Sequence, residues 1–209
     1  MTRQPSRWEA IIAANPAHST WYVERFRAMR EQGADLDGEA RLVDAMLARG
    51  SRVLDAGAGT GRVGGALHAR GHTVVGVDVD PVLVAEAEAV YPGPTWLQGD
   101  LTTLDLPARG IAEPFDAVVL AGNVLTFLAP GSHAETLATL ARHLAPEGRI
   151  VLGFGTARDY DVAQLADDVT TAGLVEDLRL GTWDLRPWTP DSSFVVAVLR
   201  AARRTDATA

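Results

Sequence analysis

A regular alternation of strand-like and helical segments, from residue 51 to about residue 173, limits the possible folds more than any other feature. Apolar runs such as 73–78 and 115–120 have the length of buried strands, and the segments between them carry helical start signals. Asp80 followed by Pro81 is typical of a helix N-cap with proline at the first helical position. This alternation predicts an α/β fold with a doubly wound parallel sheet.

The two ends of the chain depart from this alternation. Two strand-like runs, about 174–180 and 194–199, follow one another without a helix between them. They predict an antiparallel hairpin at one edge of the sheet. Residues 1–50 contain few strand signals, so we expect them to form two or three helices before the sheet begins.

Composition excludes several kinds of chemistry. The chain has no cysteine, and all 19 of its basic residues are arginine. It therefore has no disulfides, thiolate metal sites, cysteine nucleophiles or lysine Schiff bases. The formal charge of −8 argues against nucleic acid or an anionic membrane as a partner. The absence of cysteine fits a cytoplasmic protein, and no apolar run approaches the roughly 18 residues of a membrane span.

A glycine cluster joins the first predicted strand to the helix after it. Gly57, Gly59 and Gly61 alternate with small residues, which allows a ligand to approach the backbone closely. A tight turn at this joint would need the same glycines. Asp55 precedes the cluster, and its carboxylate would repel the pyrophosphate of a dinucleotide by roughly 1–4 kcal/mol at 4 Å. It would instead favour a ligand that carries an ammonium and a sulfonium group.

Two further acids stand at the ends of predicted strands. Asp78 ends the second strand, where a carboxylate can accept hydrogen bonds from ribose hydroxyls, and Asp100 follows the third. Each has an alternative structural role: Asp78 could cap the Asp80–Pro81 segment, and Asp100 could be a turn residue. Three unrelated caps explain three successive strand-end acids less well than one shared ligand does.

With these motifs the sequence resembles the class I S-adenosylmethionine-dependent methyltransferases, over about residues 38–200. The resemblance rests on Leu54-Asp55-Ala56-Gly57-Ala58-Gly59-Thr60-Gly61, Gly76-Val77-Asp78, Gln98-Gly99-Asp100-Leu101, Phe115-Asp116 and Leu144-Ala145-Pro146-Glu147-Gly148-Arg149. It implies a three-layer, Rossmann-like, seven-stranded sheet in the order 3-2-1-4-5-7-6, with strand 7 antiparallel, preceded by N-terminal helices.

The resemblance also implies how S-adenosylmethionine would be bound and S-adenosylhomocysteine formed. Asp55 and the glycine loop would hold the methionine end, and Asp78 with Val79 the ribose. Asp100 and Leu101 would hold the adenine. The loop residues concerned are Ala56, Gly57, Ala58, Gly59 and Gly61; those expected near the methyl group are Leu120, Ala121, Gly122 and Asn123. Arg41 is a candidate partner for the methionine carboxylate, although a solvated helix face explains it better.

The expected organisation is a single methyltransferase domain over residues 1–200. Residues 1–50 would form a helical lid or N-terminal segment, and residues 51–200 the cofactor-binding sheet with its terminal hairpin. Residues 201–209 are small and polar, so we expect this tail to fray. The sequence does not indicate an oligomeric state.

The residues after the fourth strand limit the kinds of methyl transfer that the chain could catalyse. Ala121-Gly122-Asn123-Val124 lacks the Asn-Pro-Pro-Tyr-like motif of enzymes that methylate exocyclic amines, and no aspartate lies between Leu120 and Leu128 to bind a metal. The absence of cysteine removes methylation at C5 of cytosine or uracil. We therefore expect metal-free methyl transfer to a small-molecule acceptor, attacked at an oxygen, nitrogen or carbon atom that the sequence does not specify.

The catalytic residues are not identified by the sequence. Weak candidates for a base or a positioning group are His18, Tyr22, His133 and Asp184. Tryptophans at positions 8, 21, 183 and 188 would lie over the cofactor, or would simply pack the helices and hairpin onto the sheet. Two other functions stay open at this point: an NAD-dependent oxidoreductase, which Asp78 would permit, and a non-catalytic module that binds S-adenosylmethionine.

Overall fold

A seven-stranded mixed sheet forms the centre of the protein, in a computed structural model that describes residues 3–202. The strands are β1 (Arg52–Ala56), β2 (Thr73–Asp78), β3 (Thr95–Gln98), β4 (Phe115–Leu120), β5 (Leu144–Gly155), β6 (Leu174–Leu180) and β7 (Phe194–Ala201). Their spatial order is β3-β2-β1-β4-β5-β7-β6, and β7 runs antiparallel to both of its neighbours. The predicted order and the antiparallel terminal pair are confirmed.

Helices precede the sheet and connect its strands. They are α1 (Arg7–Ala14), α2 (His18–Glu31), α3 (Gly38–Ala45), α4 (Arg62–Ala69), α5 (Pro81–Val90), α6 (Val124–Phe127), α7 (His133–Ala141) and α8 (Val162–Thr171). The N-terminal segment forms three helices, at the upper end of the expected number. The predicted cap of α5 is also present, because the Asp80 side chain accepts a hydrogen bond from the Val82 amide and Pro81 is the first helical residue.

Helices cover both faces of the sheet, which gives the three expected layers. Because side chains alternate along a strand, neighbouring residues such as Val53 and Leu54 enter different cores. On one face α7 and α8 contribute Leu137, Leu140, Leu165 and Val169. On the other face α3 and α4 contribute Leu42, Val43, Val63 and Leu67.

A third and smaller cluster joins the N-terminal helices to α5. Its buried residues are Trp8 of α1, Val23 of α2 and Leu83 of α5. Tyr22 and Phe127 are among the partly buried side chains packed against it. The N-terminal helices α1 and α2 are therefore held by a hydrophobic cluster separate from the two cores of the sheet.

The boundaries differ from the sequence-based prediction at one crossover. We expected a helix to Leu144, a turn at Pro146–Gly148 and a strand beginning at Arg149; α7 instead ends at Ala141 and β5 begins at Leu144. The pairing of β4 with β5 explains both differences, because Phe115 pairs with Leu144 but Ala117 pairs with Arg149. The residues of β5 between Leu144 and Arg149 are therefore out of register. The short helix α6 was not predicted.

The parallel strands end at one edge of the sheet. Asp78 is the last residue of β2, Asp55 lies one residue before the end of β1, and Asp100 lies two residues after β3. This common edge is where an open α/β sheet binds ligands. The frayed tail expected at 201–209 is described only for Ala201, which ends β7, and Ala202; the other residues lie outside the described range. No helix among residues 3–202 is long and apolar enough to cross a membrane.

Replacing Gly76 with alanine tests the packing of the sheet beneath this edge. A Cβ atom at Gly76 would lie 2.1 Å from Cζ3 of Trp96, so the indole ring must move. We expect the free energy of unfolding to fall by about 1–3 kcal/mol, measured by urea denaturation. Gly38→Ala is the control, because the nearest atom to its added Cβ is an Arg41 nitrogen at 3.8 Å. Equal stabilities of the two variants would contradict the packing account.

Candidate functional site

A cavity lies at the carboxyl ends of β1, β2 and β4, beneath the N-terminal helices. About 100 Å³ of its space is open to the centre of a water molecule, and the cavity opens to solvent at its mouth. The sequence candidates that line it are Tyr22, Asp55, Gly57, Ala58, Gly59, Asp78, Val79, Asp100, Leu101, Ala121 and Gly122. Trp8, one of the tryptophans that the sequence placed over the cofactor or in packing, also lines it. The lining residues without a predicted role are Ser6, Phe26, Thr60, Arg62, Val63, Leu83, Gly99, Val124, Phe127 and Leu128.

The glycine loop forms one wall of the cavity. Gly57 and Gly59 have φ angles of 79° and 54°, which favour glycine over residues with a side chain. A Cβ at Gly57 would also lie 2.5 Å from a methyl carbon of Val124, which itself lines the cavity. Gly61 has a different role: it is the N-cap of α4 with φ 80°, and it packs against Ala87 instead of lining the cavity.

Asp55 is fully buried at the base of the loop. Its Oδ2 accepts a hydrogen bond from the Gly64 amide in the first turn of α4, at 2.8 Å. Burial raises the pKa of this carboxyl group to about 7, although the Gly64 hydrogen bond and the charge of Arg62 oppose the shift. Asp55 is therefore a group that a cation entering the cavity would ionise.

Asp78 is buried beside the same loop. Its Oδ2 accepts from the Gly59 amide at 2.8 Å, and its Oδ1 accepts from the Asp80 amide at 2.9 Å. Burial raises its pKa to about 6, against the effect of these hydrogen bonds. The cap of α5 is Asp80 itself, so Asp78 holds the amide of the cap residue instead of capping the helix, and it lines the cavity as well.

Asp100 combines a turn role with a position on the cavity wall. Its Oδ1 accepts from the Thr102 amide at 2.9 Å and so caps a short 3₁₀ helix, Leu101–Thr103. Its Oδ2 pairs with Nη1 of Arg3 at 2.9 Å. The third strand-end acid is thus bound to the segment that precedes α1.

Aromatic side chains from the N-terminal helices and α6 cover the cavity. The Trp8 ring meets Tyr22 edge-on at 5.2 Å between centroids and Phe127 at 5.5 Å, and the Tyr22 ring lies 4.9 Å from Phe26. Burial raises the pKa of Tyr22, which opposes formation of a phenolate base. Phe26 and Phe127 were not predicted, because hydrophobic periodicity identifies apolar helix faces without showing which of them face a ligand.

Arg62 is the main cation of the cavity wall. Its Nη1 donates to Glu39 Oε2 at 2.7 Å and to the Leu36 carbonyl at 2.8 Å, and its Nη2 also pairs with Glu39. The position of Arg62 directly after Gly61 could have indicated a site residue, but arginine is common in the first turn of a helix. Because Glu39 offsets its charge, the acids at the strand ends dominate the electrostatics of the cavity.

Two candidates, Arg41 and Asp184, lie in a different place. Both line a shallow groove between α3 and the β6–β7 connection, whose other residues include Trp183 and Leu185. Arg41 is exposed and bidentate to Asp35 at 2.7 and 2.8 Å, so its proposed position beside the methionine carboxylate is corrected. Hydrogen bonds from Thr182 and Arg186 lower the pKa of Asp184, which is exposed.

The two histidine candidates also lie outside the cavity wall. His133 stacks on Tyr160 at 4.2 Å, and its Nε2 donates to the Leu125 carbonyl at 3.0 Å. Burial lowers the pKa of His133, so the imidazole is neutral near pH 7. His18 packs edge-on against Trp8 with ring centroids 5.2 Å apart and does not itself line the cavity.

Three candidates near the strand ends support the wall without lining it. Ala56 and Leu120 are buried strand residues of the core that underlies the site. Asn123 has φ 69°, and its Oδ1 accepts from the Gly155 amide at 2.8 Å, which joins the end of β4 to the end of β5. Of the four tryptophans, only Trp8 lines the cavity, so the packing alternative holds for Trp183 and Trp188.

The arrangement suits a ligand with a cationic end and an adenosine-like body. In a dinucleotide site, the amides of the glycine loop bind the pyrophosphate. Here buried carboxyl groups lie at that position, and they would repel a phosphate. Among residues 3–202, no group of three or more His, Asp or Glu side chains is placed to hold a metal ion.

Comparison with known proteins decides the family. Residues 53–148 match the profile of a methyltransferase domain family. The crystal structure of a TehB-like SAM-dependent methyltransferase from Corynebacterium glutamicum is 41% identical, with a TM-score of 0.84, over 90% of this chain and 100% of that chain. The chain belongs to the class I S-adenosylmethionine-dependent methyltransferases. S-adenosylmethionine (SAM) is the methyl donor of this family, and the resemblance inferred from the motifs is confirmed.

Two curated relatives agree with this methyltransferase assignment. YqeM of Bacillus subtilis, named as a methyltransferase, is 28% identical over 149 residues, or 69% of this chain. A trans-aconitate 2-methyltransferase of Methylobacterium nodulans is 36% identical over 104 residues, or 49% of this chain. The matches span 58% and 37% of the lengths of these two relatives.

Proposed function

We propose that this methyltransferase transfers the methyl group of SAM to a small-molecule acceptor without a metal ion. The observation that carries the proposal is the pair of buried carboxyl groups, Asp55 and Asp78, in a cavity roofed by aromatic rings. Burying two carboxyl groups in a ligand cavity is costly unless a ligand pairs with them. SAM offers an ammonium group to one and ribose hydroxyls to the other.

The proposed orientation follows the acids along the edge of the sheet. Asp55 and the loop residues Gly57 to Gly59 would hold the methionine end, and Arg62 would lie near its carboxylate. Asp78 would accept hydrogen bonds from both ribose hydroxyls, and Asp100 with Leu101 would hold the adenine. Ala121 and Gly122, on the wall beyond β4, would then lie close to the sulfonium.

The chain contributes alignment and exclusion of water to the reaction. Bound SAM supplies an activated methyl group, which an acceptor attacks in line with the carbon–sulfur bond as the electron pair of that bond leaves with sulfur. Tyr22, Phe26 and Phe127 would hold the acceptor against the methyl carbon in a largely dry site. Because the raised pKa of Tyr22 keeps its hydroxyl protonated, we propose that it positions the acceptor instead of deprotonating it.

Several features favour a small acceptor. The cavity lies under α1 and α2, so an acceptor must fit between the lid and the sheet. The net charge of −8 disfavours nucleic acid. One relative is named for a small organic acid as its acceptor. Family membership removes support for the NAD-dependent alternative, while a non-catalytic SAM-binding module stays an outcome to be tested.

Titration calorimetry with SAM, S-adenosylhomocysteine and NAD tests the cofactor. We expect both adenosyl ligands to bind with Kd values in the micromolar range or below, and NAD to bind at least about 100-fold more weakly because its phosphates meet Asp55. Preferential NAD binding would refute the proposal. Transfer of labelled methyl groups to a small-molecule metabolite extract then tests catalysis, and binding without any transfer would indicate the module.

A further inference from the structure

Asp80 connects the N-terminal helices to the proposed cofactor site. Its side chain is 1% exposed, and its Oδ2 accepts two hydrogen bonds from other elements: from Trp8 Nε1 at 2.9 Å and from Ser19 Oγ at 2.5 Å. Trp8 lies in α1 and Ser19 in α2. One buried carboxyl group at the N-cap of α5 therefore holds both α1 and α2, which together are called the lid below.

The same residue is bonded to the site acid. The backbone amide of Asp80 donates to Oδ1 of Asp78, and the other oxygen of Asp78 accepts from Gly59. A continuous series of hydrogen bonds thus runs from the indole of Trp8 through Asp80 and Asp78 to the glycine loop. This series links α1 to two groups that line the cavity, Asp78 and Gly59.

The other polar attachments of α1 are weaker. Arg7 pairs with Asp159 at 3.0 Å, but the Asp159 side chain is largely exposed. Arg3, which precedes α1, pairs with Asp100 at 2.9 Å, and the Arg3 side chain is 41% exposed. Exposed pairs of this kind contribute little to stability, whereas a buried hydrogen bond to a carboxyl group contributes more. The bonds to Asp80 are therefore the principal polar attachment of α1, whereas α2 is also held to α5 by Arg27 and Arg30, which both pair with the buried Glu86.

The hydrophobic attachment of α1 is also local. Trp8 packs into the small cluster with Val23 and Leu83, which is separate from the two cores of the sheet. Elements that are held by few buried contacts open at a lower free energy than the whole protein unfolds. Opening of α1 would remove the Trp8 ring from the cavity wall and leave the sheet intact.

We propose that Asp80 is a positioning residue that latches the N-terminal lid over the cofactor, with the Trp8 indole as the releasable half of the latch. Cofactor bound against Asp78 stabilises the closed lid, and the closed lid slows release of the cofactor. The inference rests on the proposed function, because it assumes that SAM binds in this cavity. It adds a residue outside the cavity wall that controls exchange of the cofactor.

The conservative variant Trp8→Phe tests the latch, because it keeps a ring and removes the indole N–H. We expect S-adenosylhomocysteine to dissociate roughly two- to tenfold faster in stopped-flow measurements, as expected for one lost hydrogen bond. Hydrogen exchange of the α1 amides should also accelerate, with exchange in β1 and β4 unchanged. Trp21→Phe is the matched control, since Trp21 is 51% exposed and does not line the cavity.

A second variant, Ser19→Ala, removes the other donor to Asp80 and should accelerate release in the same direction. A purely structural role of Asp80 predicts a lower free energy of unfolding with an unchanged dissociation rate, and that result would overturn the latch. Unchanged α1 exchange in Trp8→Phe would overturn it too. If the wild-type protein bound no adenosyl ligand, the proposed function would fail, and exchange in the unliganded protein would still decide whether Asp80 holds the lid.

Discussion

Replacing Asp78 with alanine is expected to weaken SAM binding roughly 10- to 150-fold in titration calorimetry. The proposed contact is a charge-assisted hydrogen bond to the ribose, which is worth about 1.5–3 kcal/mol. The variant also removes the acceptor for the Gly59 amide, so the glycine loop loses one of the hydrogen bonds that hold it in place. Asp78→Asn keeps one oxygen acceptor and should show an intermediate loss.

Asp116→Ala is the matched control for this experiment. Asp116 is also a strand acid that accepts a backbone hydrogen bond, from the Arg52 amide at 2.8 Å, but it lies at the amino end of β4. We expect it to bind SAM as the wild type does. If folded Asp78→Ala, verified by its unfolding curve, also bound SAM with unchanged affinity, the ribose would have to lie elsewhere.

The affinity for SAM is expected to rise by about tenfold or more from pH 5.5 to pH 7.5. The raised pKa values of Asp55 and Asp78, about 7 and about 6, mean that the unliganded protein holds protons on these groups in the lower part of this range. An ammonium beside Asp55 favours the ionised carboxylate, so binding releases a proton and strengthens as pH rises. The ammonium itself stays protonated up to about pH 7.5.

Calorimetry in buffers of different ionisation enthalpy measures the released proton directly. Asp55→Asn should weaken binding at pH 7.5 and flatten most of the pH dependence, because an amide does not titrate. Equal affinities at both pH values in the wild type, without proton release, would show that the ligand meets no titrating carboxyl group.

The local sequence determined most of the fold. The Asp80–Pro81 cap, the strand at 73–78 and the hairpin strands are set by short-range preferences, and their predicted positions agree with the structure. The start of β5 was missed because pairing of Leu144 with Phe115 extends the strand past a proline and a glycine. That pairing is a tertiary interaction, which local propensity does not contain.

The candidate site was predictable where a residue directly follows a strand. The three strand-end acids and the glycine loop lie on the cavity wall because parallel strands bring their ends together. Residues of the lid were harder to predict. The sequence left Trp8 open between the cofactor and helix packing, and Phe26 reaches the cavity only because of how α2 crosses the sheet edge. Arg41 was misplaced for the same reason, since α3 packs on the face that carries the groove.

A crystal structure of the complex with S-adenosylhomocysteine tests the central claim most directly. We expect the ribose hydroxyls within hydrogen-bond distance of Asp78, the adenine beside Asp100 and Leu101, and the ammonium next to Asp55. The Trp8–Asp80 contact should be retained over the ligand. A ligand bound in the groove beside Arg41, or with its ribose away from Asp78, would contradict the proposed site.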